Sequence, residues 1–210
     1  MKKYAWLFAF LFFCSCTNVQ KQETTIIGND IDVPEGYTHK AFVKYIPENQ
    51  IEKNFISDLK DFEVATNNLD YDKIVELYYP DYFVYLSKVL SINSLDETKK
   101  KFKEYLQENL ENNNKRFTEH WDKAEKSGVY VTNIINRVKE RDGILYLYEF
   151  HEVLYSKNDS IFEIEPTYGI AASLNNGKKW HSCSSTDDEE LFEVLGYSFS
   201  KNSIEKVLSK

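Results

Sequence analysis

The spacing of apolar residues changes near Gly128, and this change limits the folds that the chain can adopt. Before Gly128, apolar residues recur at helical spacing, and after it they alternate with a period of two. Helices followed by a series of long strands are typical of α+β domains. We therefore expect one α+β domain over residues 40–210, in which helices cover one face of a bent antiparallel sheet.

The first half of the domain contains the predicted helices. Apolar residues at steps of four, four and three predict a helix over Gln50–Asn67. Asp70 is a suitable N-cap for a second helix over Tyr71–Tyr79, which Pro80 is expected to stop. The apolar run Tyr82–Leu86 then indicates a short strand.

A third helix begins at a capping box, in which Ser94 is followed three residues later by Glu97. We expect it to reach about Leu110, where the asparagines of residues 112–114 interrupt the pattern. Residues 117–124 carry a further apolar stripe that is compatible with one more helical segment.

The second half predicts a meander of strands with turn residues between them. The third strand should bend near Pro166 or Gly169. The predicted strands are Val129–Glu140, Ile144–Tyr155, Ile161–Leu174 and Lys179–Ser184. A helical tail follows, with helices over Asp187–Leu195 and Ser203–Leu208.

The amino end resembles a secretion signal. Lys2 and Lys3 precede an unbroken apolar run over Tyr4–Phe13. A membrane-spanning helix needs about 20 apolar residues, so this run is too short to be a permanent anchor. Residues 1–15 are therefore expected to be a cleaved signal peptide.

The residues that follow this run resemble the lipobox of bacterial lipoproteins. Cys16 is the expected lipidation site, because a small residue, Ser15, precedes it; Phe13 stands where a leucine is usual. Cys14 is the weaker candidate because bulky Phe13 precedes it. The alternative is an ordinary signal peptide cut near Ser15, which leaves unmodified thiols. The resemblance implies acyl chains that hold the protein on a membrane.

Residues 16–39 are mostly polar and show little periodicity, which indicates a flexible tether between the lipid and the domain. Only Glu23 is acidic early in the tether, whereas some surface-exported lipoproteins carry a run of acids there. We therefore expect an outer-membrane protein that faces the periplasm, with the cell surface as the alternative.

Composition excludes several classes of function. The formal charge of −8 gives no general basis for binding nucleic acid, which needs clustered Lys and Arg. The sequence contains no zinc-binding CxxC or HExxH motif, no calcium loop, no phosphate-binding glycine loop and no GxSxG. His120 and Asp122 are too local to form a metal site. The sequence thus predicts no cofactor and no metal. The acids of residues 187–190 suit a helix N-terminus better than a calcium site.

The stretch from Asn67 to Asp81 resembles the NTF2-like (SnoaL-like) superfamily, in which a long helix leads through an Asp-rich turn into a short helix and a strand. The resemblance extends over about residues 50–184 and leaves out the tail at 187–210. It implies a cone whose concave sheet face can hold a pocket. We therefore expect a non-catalytic domain that binds a small molecule or an envelope partner protein. The alternatives are an isomerase- or hydrolase-type enzyme and a structural subunit of an envelope complex.

Glu149 and His151 are the weak catalytic candidates. Two residues apart on a strand, their side chains share one face, so the carboxylate could orient the imidazole as a general base. Leu145 and Leu147 lie on the same face, which is therefore mixed, as a pocket rim would be. The alternative is an ordinary solvent-facing strand surface.

Cys183 is expected to be the only thiol that remains after lipidation of Cys16. In an oxidising compartment, a single cysteine is most simply a buried small apolar residue. The alternative is a reactive thiolate beside His181, two residues away.

Two further patterns are expected to be structural. The sequence from Ser173 to Trp180 resembles the Asp-box hairpin, with Asn175 in place of the aspartate, and we expect it to fix a hairpin turn. A single copy argues against a propeller. The tyrosines at 78, 79, 82 and 85 should be mainly core residues, although a ligand-facing role is the alternative.

Overall fold

The computed structural model of the protein describes residues 45–120, 124–156, 162–163, 167–183 and 188–209. These residues form six helices and an antiparallel sheet, which confirms the α+β class. The elements are α1 (Gln50–Asn67), α2 (Tyr71–Leu77), α3 (Pro80–Val89), α4 (Leu95–His120), β1 (Ala124–Glu140), β2 (Gly143–Ser156), β3 (Phe162–Glu163), β4 (Thr167–Ser173), β5 (His181–Cys183), α5 (Asp188–Leu195) and α6 (Lys201–Leu208).

The sheet has the strand order β1-β2-β4-β5 and does not close into a barrel. The long β1–β2 hairpin turns at Arg141 and Asp142, and Arg141 takes a positive φ of 54°. Residues 144–150 of β2 pair with β4, whereas residues 153 and 154 pair with β3. The predicted strand Ile161–Leu174 is thus found as two pieces on one side of β2, and residues 164–166 lie outside the described residues.

Helices lie on both faces of the sheet, whereas one covered face was expected. Leu145 and Leu147 of β2 belong to a core cluster that includes residues of α2, α3, α4, α5 and α6. Tyr146 and Tyr148, which point the other way, belong to a second cluster with Phe55 of α1. The expectation of one covered face was wrong because this part of β2 is apolar on both faces.

The chain passes from one face of the sheet to the other around the β5 edge. Tyr78 forms an isolated parallel bridge with Ser182, and the backbone N–H of Tyr79 donates to the carbonyl of Ser182 over 3.2 Å. Helix α2 therefore ends at Leu77, two residues before the predicted end. This short pairing covers part of the edge that β5 would otherwise expose.

Helix starts follow the capping residues in the sequence. Asn49 caps α1, and the predicted caps Asp70 and Ser94 each accept a hydrogen bond from the backbone N–H three residues later. Ser200 caps α6 in the same way. The helix predicted from Ser203 therefore begins earlier, at Lys201.

Two predictions in the helical half were wrong. Tyr82–Leu86 is part of helix α3 and not a strand, because Pro80 occupies the first helical turn, where its missing N–H costs nothing. Helix α4 continues past residues 112–114 to His120, since asparagine lowers helix propensity without preventing a helix.

The tyrosine-rich stretch lies in the larger core cluster, as predicted. Tyr78, Tyr82, Phe83 and Phe102 are all buried, and their ring centroids lie 5.0–6.2 Å apart at steep angles. Aromatic pairs favour such edge-to-face geometry. These rings occupy the space between the sheet and helices α2, α3 and α4.

A polar network joins α1 to β1 on the other face of the sheet. Arg137 donates to Glu52 over 3.1 Å and to the hydroxyl of Tyr45 over 2.7 Å, and that hydroxyl donates to Glu52 over 2.6 Å. Glu52 is only 2% exposed. Burial and the hydrogen bond to Glu52 raise the pKa of Tyr45 to about 12. Burial alone would raise the pKa of Glu52, but these partners and the N–H of Glu48 lower it.

The same network fixes the beginning of the described chain. The backbone N–H of Tyr45 donates to the carbonyl of Val131 over 2.9 Å, and the Tyr45 ring packs on the smaller core cluster. The chain therefore enters the domain beside the exposed edge of β1. Removing Arg137 would leave the buried carboxylate of Glu52 without its charged partner at this entry point.

Candidate functional site

A cleft lies between α1 and the β4–β5 hairpin. The space that it encloses is only about 10 Å³, roughly enough for one water molecule, whereas typical small-molecule pockets measure about 300–1,000 Å³. Most of its lining is apolar, and three side chains are polar. The lining residues are Phe55, Asp58, Leu59, Phe62, Leu77, Ala171, Trp180, His181 and Ser182.

The hairpin turn that precedes β5 fixes one wall of the cleft. The side-chain oxygen of Asn175 accepts the N–H of Lys179 over 2.9 Å, and the Ser173 hydroxyl accepts the N–H of Gly177 over 2.9 Å. Gly177 takes a φ of 76°, and a β-carbon there would clash with Ile51. The predicted structural role of the Asp-box-like sequence is confirmed, because the turn delivers a buried Trp180.

Helix α1 forms the opposite wall and is bonded to that turn. Asn54 donates to the carbonyl of Gly177 over 2.8 Å, and Asp58 accepts the backbone N–H of Trp180 over 2.7 Å. The Phe55 ring lies 5.4 Å from the Trp180 ring. Polar bonds at the helix surface and ring contacts beneath it thus set the width of the cleft.

His181 is the titratable group at the centre of this region. Burial lowers its pKa, and the charge of Lys179 adds to that effect; backbone hydrogen bonds at Leu77 and Tyr78 and the charge of Asp58 act in the opposite direction. Its Nδ1 is buried and has no hydrogen-bond partner among the described residues. The imidazole is therefore held mainly in its neutral form.

The pKa of Asp58 is shifted in the opposite direction from that of His181. Burial raises the pKa of its carboxyl, and the hydrogen bond from Trp180 only partly offsets this. The two shifts bring the proton affinities of the carboxyl and the imidazole closer together, although no hydrogen bond or ion pair joins the two side chains. The shallow cleft, however, encloses little of any molecule that they would act on.

Ion pairs line the outer side of the cleft. Glu76 of α2 binds Lys179 over 2.6 Å and Lys73 over 3.1 Å. This bridge joins α2 to the hairpin turn at the surface, where such pairs contribute roughly 0–1 kcal/mol each. Its main effect is to position charges near the mouth and not to stabilise the fold.

Glu149 and His151 do not line the cleft. Glu149 accepts a hydrogen bond from the Thr132 hydroxyl over 2.7 Å, across the β1–β2 hairpin. His151 pairs in register with Tyr130 of β1. Their proposed catalytic role remains a prediction.

The other candidates have simpler positions. Cys183 is buried, and burial raises the pKa of its thiol well above the ordinary value, which fits the apolar interpretation and not a reactive thiolate. Cys16 and Trp121, Asp122 and Asp187 lie outside the described residues. Within the described residues, no group of three or more His, Cys, Asp or Glu side chains is placed to hold a metal ion. No helix in this part of the chain is long and apolar enough to cross a bilayer.

Comparison with known proteins gives no match: no family model, no curated relative and no solved structure is significantly similar to the chain.

The sequence analysis missed the Asp58–His181 site. The two residues are more than a hundred positions apart, and only the packing of α1 against β5 brings them together. One signal was present: Asp58 lies in the predicted helix among the apolar stripe that begins at Ile51, where a carboxylate needs a partner. That signal does not reveal which partner it finds.

The burial of His181 predicts that stability depends on pH. Since its folded pKa is lowered, the unfolded chain takes up a proton first as the pH falls below about 6.5, and stability is lost in that range. We expect the free energy of unfolding of the wild type to fall more steeply between about pH 7.5 and 5.5 than that of His181→Gln. The raised pKa of Asp58 makes the free energy of unfolding rise as the pH falls through a lower range, and this effect is present in both proteins. Parallel curves for the two proteins would contradict this assignment.

Proposed function

We propose that the protein is a lipid-anchored envelope protein whose NTF2-like domain binds a partner protein or a small molecule without catalysis. The observation that carries the anchor is the apolar run Tyr4–Phe13, followed by Cys14, Ser15 and Cys16. Acyl chains on Cys16 would contribute about 0.8 kcal/mol per buried CH₂, so that several chains give a stable anchor.

Binding is supported at the cleft between α1 and β5. Its apolar floor and the polar groups of Asp58, His181 and Ser182 suit a shallow surface contact better than an enclosed substrate, since the cleft encloses room for only about one water molecule. The helix order from α1 to α4 and the sheet behind it support the NTF2-like arrangement. On both sides of the central part of the sheet, aromatic and aliphatic side chains occupy the space where a deep pocket would lie.

Catalysis is the second candidate, and the paired pKa shifts at Asp58 and His181 favour it. An isomerase or hydrolase would need these groups to face a bound substrate. The cleft is too shallow to enclose a substrate against these half-buried groups, so we rank binding first.

The anchor is tested by replacing Cys16 with alanine in the full chain and feeding cells an alkyne-tagged palmitate. We expect Cys16→Ala to lose the acyl label and to leave the washed membrane fraction. Cys14→Ala is the matched control and should keep the acyl label and remain in the washed membrane fraction. Acyl label that survives in Cys16→Ala, or an unmodified mature amino end in the wild type, would contradict the anchor.

Binding at the cleft is tested by photo-crosslinking in cells. A benzoylphenylalanine at Asp61, one helical turn beyond Asp58 and exposed, should give a discrete adduct; the same group at exposed Lys206 on α6 is the control. Asp58→Asn combined with His181→Gln should weaken the adduct. The binding proposal fails if the two positions give the same pattern or if the substitutions leave the adduct unchanged.

A further inference from the structure

Three large apolar side chains are exposed around the turn between α3 and α4. Leu90 ends α3 and is 38% exposed, and Leu95 begins α4 and is 47% exposed. Tyr197, which follows α5, is 37% exposed and reaches the end of α3 through a contact with Lys88. The described residues contain only seven large apolar side chains this exposed, so three at one place form a concentration.

Two lysines, Lys88 and Lys99, lie close to this turn. The Nζ atom of Lys88 lies 4.4 Å from the Tyr197 ring centre, and that of Lys99 lies 5.6 Å from the Phe83 ring centre. Lys99 is also one helical turn beyond Leu95. We call the residues Lys88, Leu90, Leu95, Lys99 and Tyr197 the α3–α4 face.

The charge of this face differs from that of the whole chain. Lys100 and Lys101 extend it along α4, each 3.9 Å from a carboxylate, Glu104 and Glu97 respectively. Asp96 is the other acid at this end of α4. Within the described part of the chain, Lys88 and Lys99 lie over rings and have no carboxylate within 4.0 Å, and the four lysines here face three acids, a local charge of +1 on a chain of formal charge −8.

We propose that the α3–α4 face rests on the anionic headgroups of the bilayer that holds the acyl chains of Cys16. Exposed Leu and Tyr can enter the headgroup region, while Lys extends its apolar stem and keeps its charge at the phosphates. Protein interfaces, in contrast, are depleted in lysine, which favours a lipid surface over a protein partner. The inference rests on the proposed lipid anchor.

The chain outside the structure makes this contact feasible. For the flexible tether that the sequence predicts between Cys16 and the domain, chain statistics give a reach of about 30 Å, comparable to the width of a small domain. The domain therefore stays within reach of the surface at high effective concentration, and a face too weak to bind alone can orient it. The cleft between α1 and β5 would then take a fixed direction relative to the membrane.

The test places a nitrobenzoxadiazole fluorophore at Asn93→Cys, in the α3–α4 turn, or at Lys178→Cys, in the β4–β5 turn; both positions are exposed. The full, lipidated chain is reconstituted into vesicles of phosphatidylcholine with phosphatidylglycerol, or of phosphatidylcholine alone. The unsubstituted chain controls for labelling of Cys183, which is buried. Flotation of the vesicles shows whether the chain is attached to them. Quenching by doxyl-labelled lipid shows whether the labelled position contacts the bilayer.

We expect the label at position 93 to be quenched at least about twofold more than that at 178 in anionic vesicles, and the difference to shrink in neutral vesicles or high salt. Leu95→Ser combined with Lys99→Glu should abolish the difference while flotation and melting temperature stay unchanged, since both residues are exposed. Lys178→Glu is the matched surface control.

Equal quenching at the two positions on floating vesicles would contradict the contact of the α3–α4 face with lipid but not the lipid anchor. A blue shift at position 93 without doxyl quenching would also overturn it and would indicate a protein contact. A chain that does not float would overturn the anchor and, with it, this inference.

Discussion

The packing of the Phe55 ring against the sheet is the contact on which the rest of the domain depends. Its centroid lies 5.4 Å from that of Tyr146, 5.1 Å from Tyr148 and 5.4 Å from Trp180. The central part of β2 is apolar on both faces, so the sheet needs a helix on each side, and Phe55 holds α1 to the side that the other helices leave open. The cleft exists because α1 crosses the hairpin at this point.

The same contact links the local turn to the proposed function. Asn175 and Gly177 shape the turn, the turn delivers Trp180 to Phe55, and His181 follows directly at the cleft. The cleft is thus built on a rigid hairpin and not on a loop. The lipid anchor at Cys16 and the α3–α4 face, both proposed, would give this cleft a place and a direction at the membrane.

The sequence predicted features that depend on nearby residues. Gln50–Asn67 was predicted with the observed bounds because its apolar stripe and the helix period agree, and the caps at Asp70 and Ser94 act within three residues. The helix that begins at Pro80 was missed, since an aromatic run fits a strand or a buried helix equally well. The bridge between Tyr78 and Ser182 at the β5 edge and the placement of Asp58 and His181 in one cleft depend on distant segments, which no local pattern encodes.

A double-mutant cycle between Phe55 and Trp180 tests the central contact most directly. The free energy of unfolding would be measured by circular dichroism in denaturant for Phe55→Leu, Trp180→Leu and the double variant. We expect a coupling of about 1 kcal/mol between the two rings. Phe102→Leu with Trp180→Leu is the control, since these side chains belong to different core clusters and should be additive. Additivity of Phe55 and Trp180 to within about 0.3 kcal/mol would contradict the account.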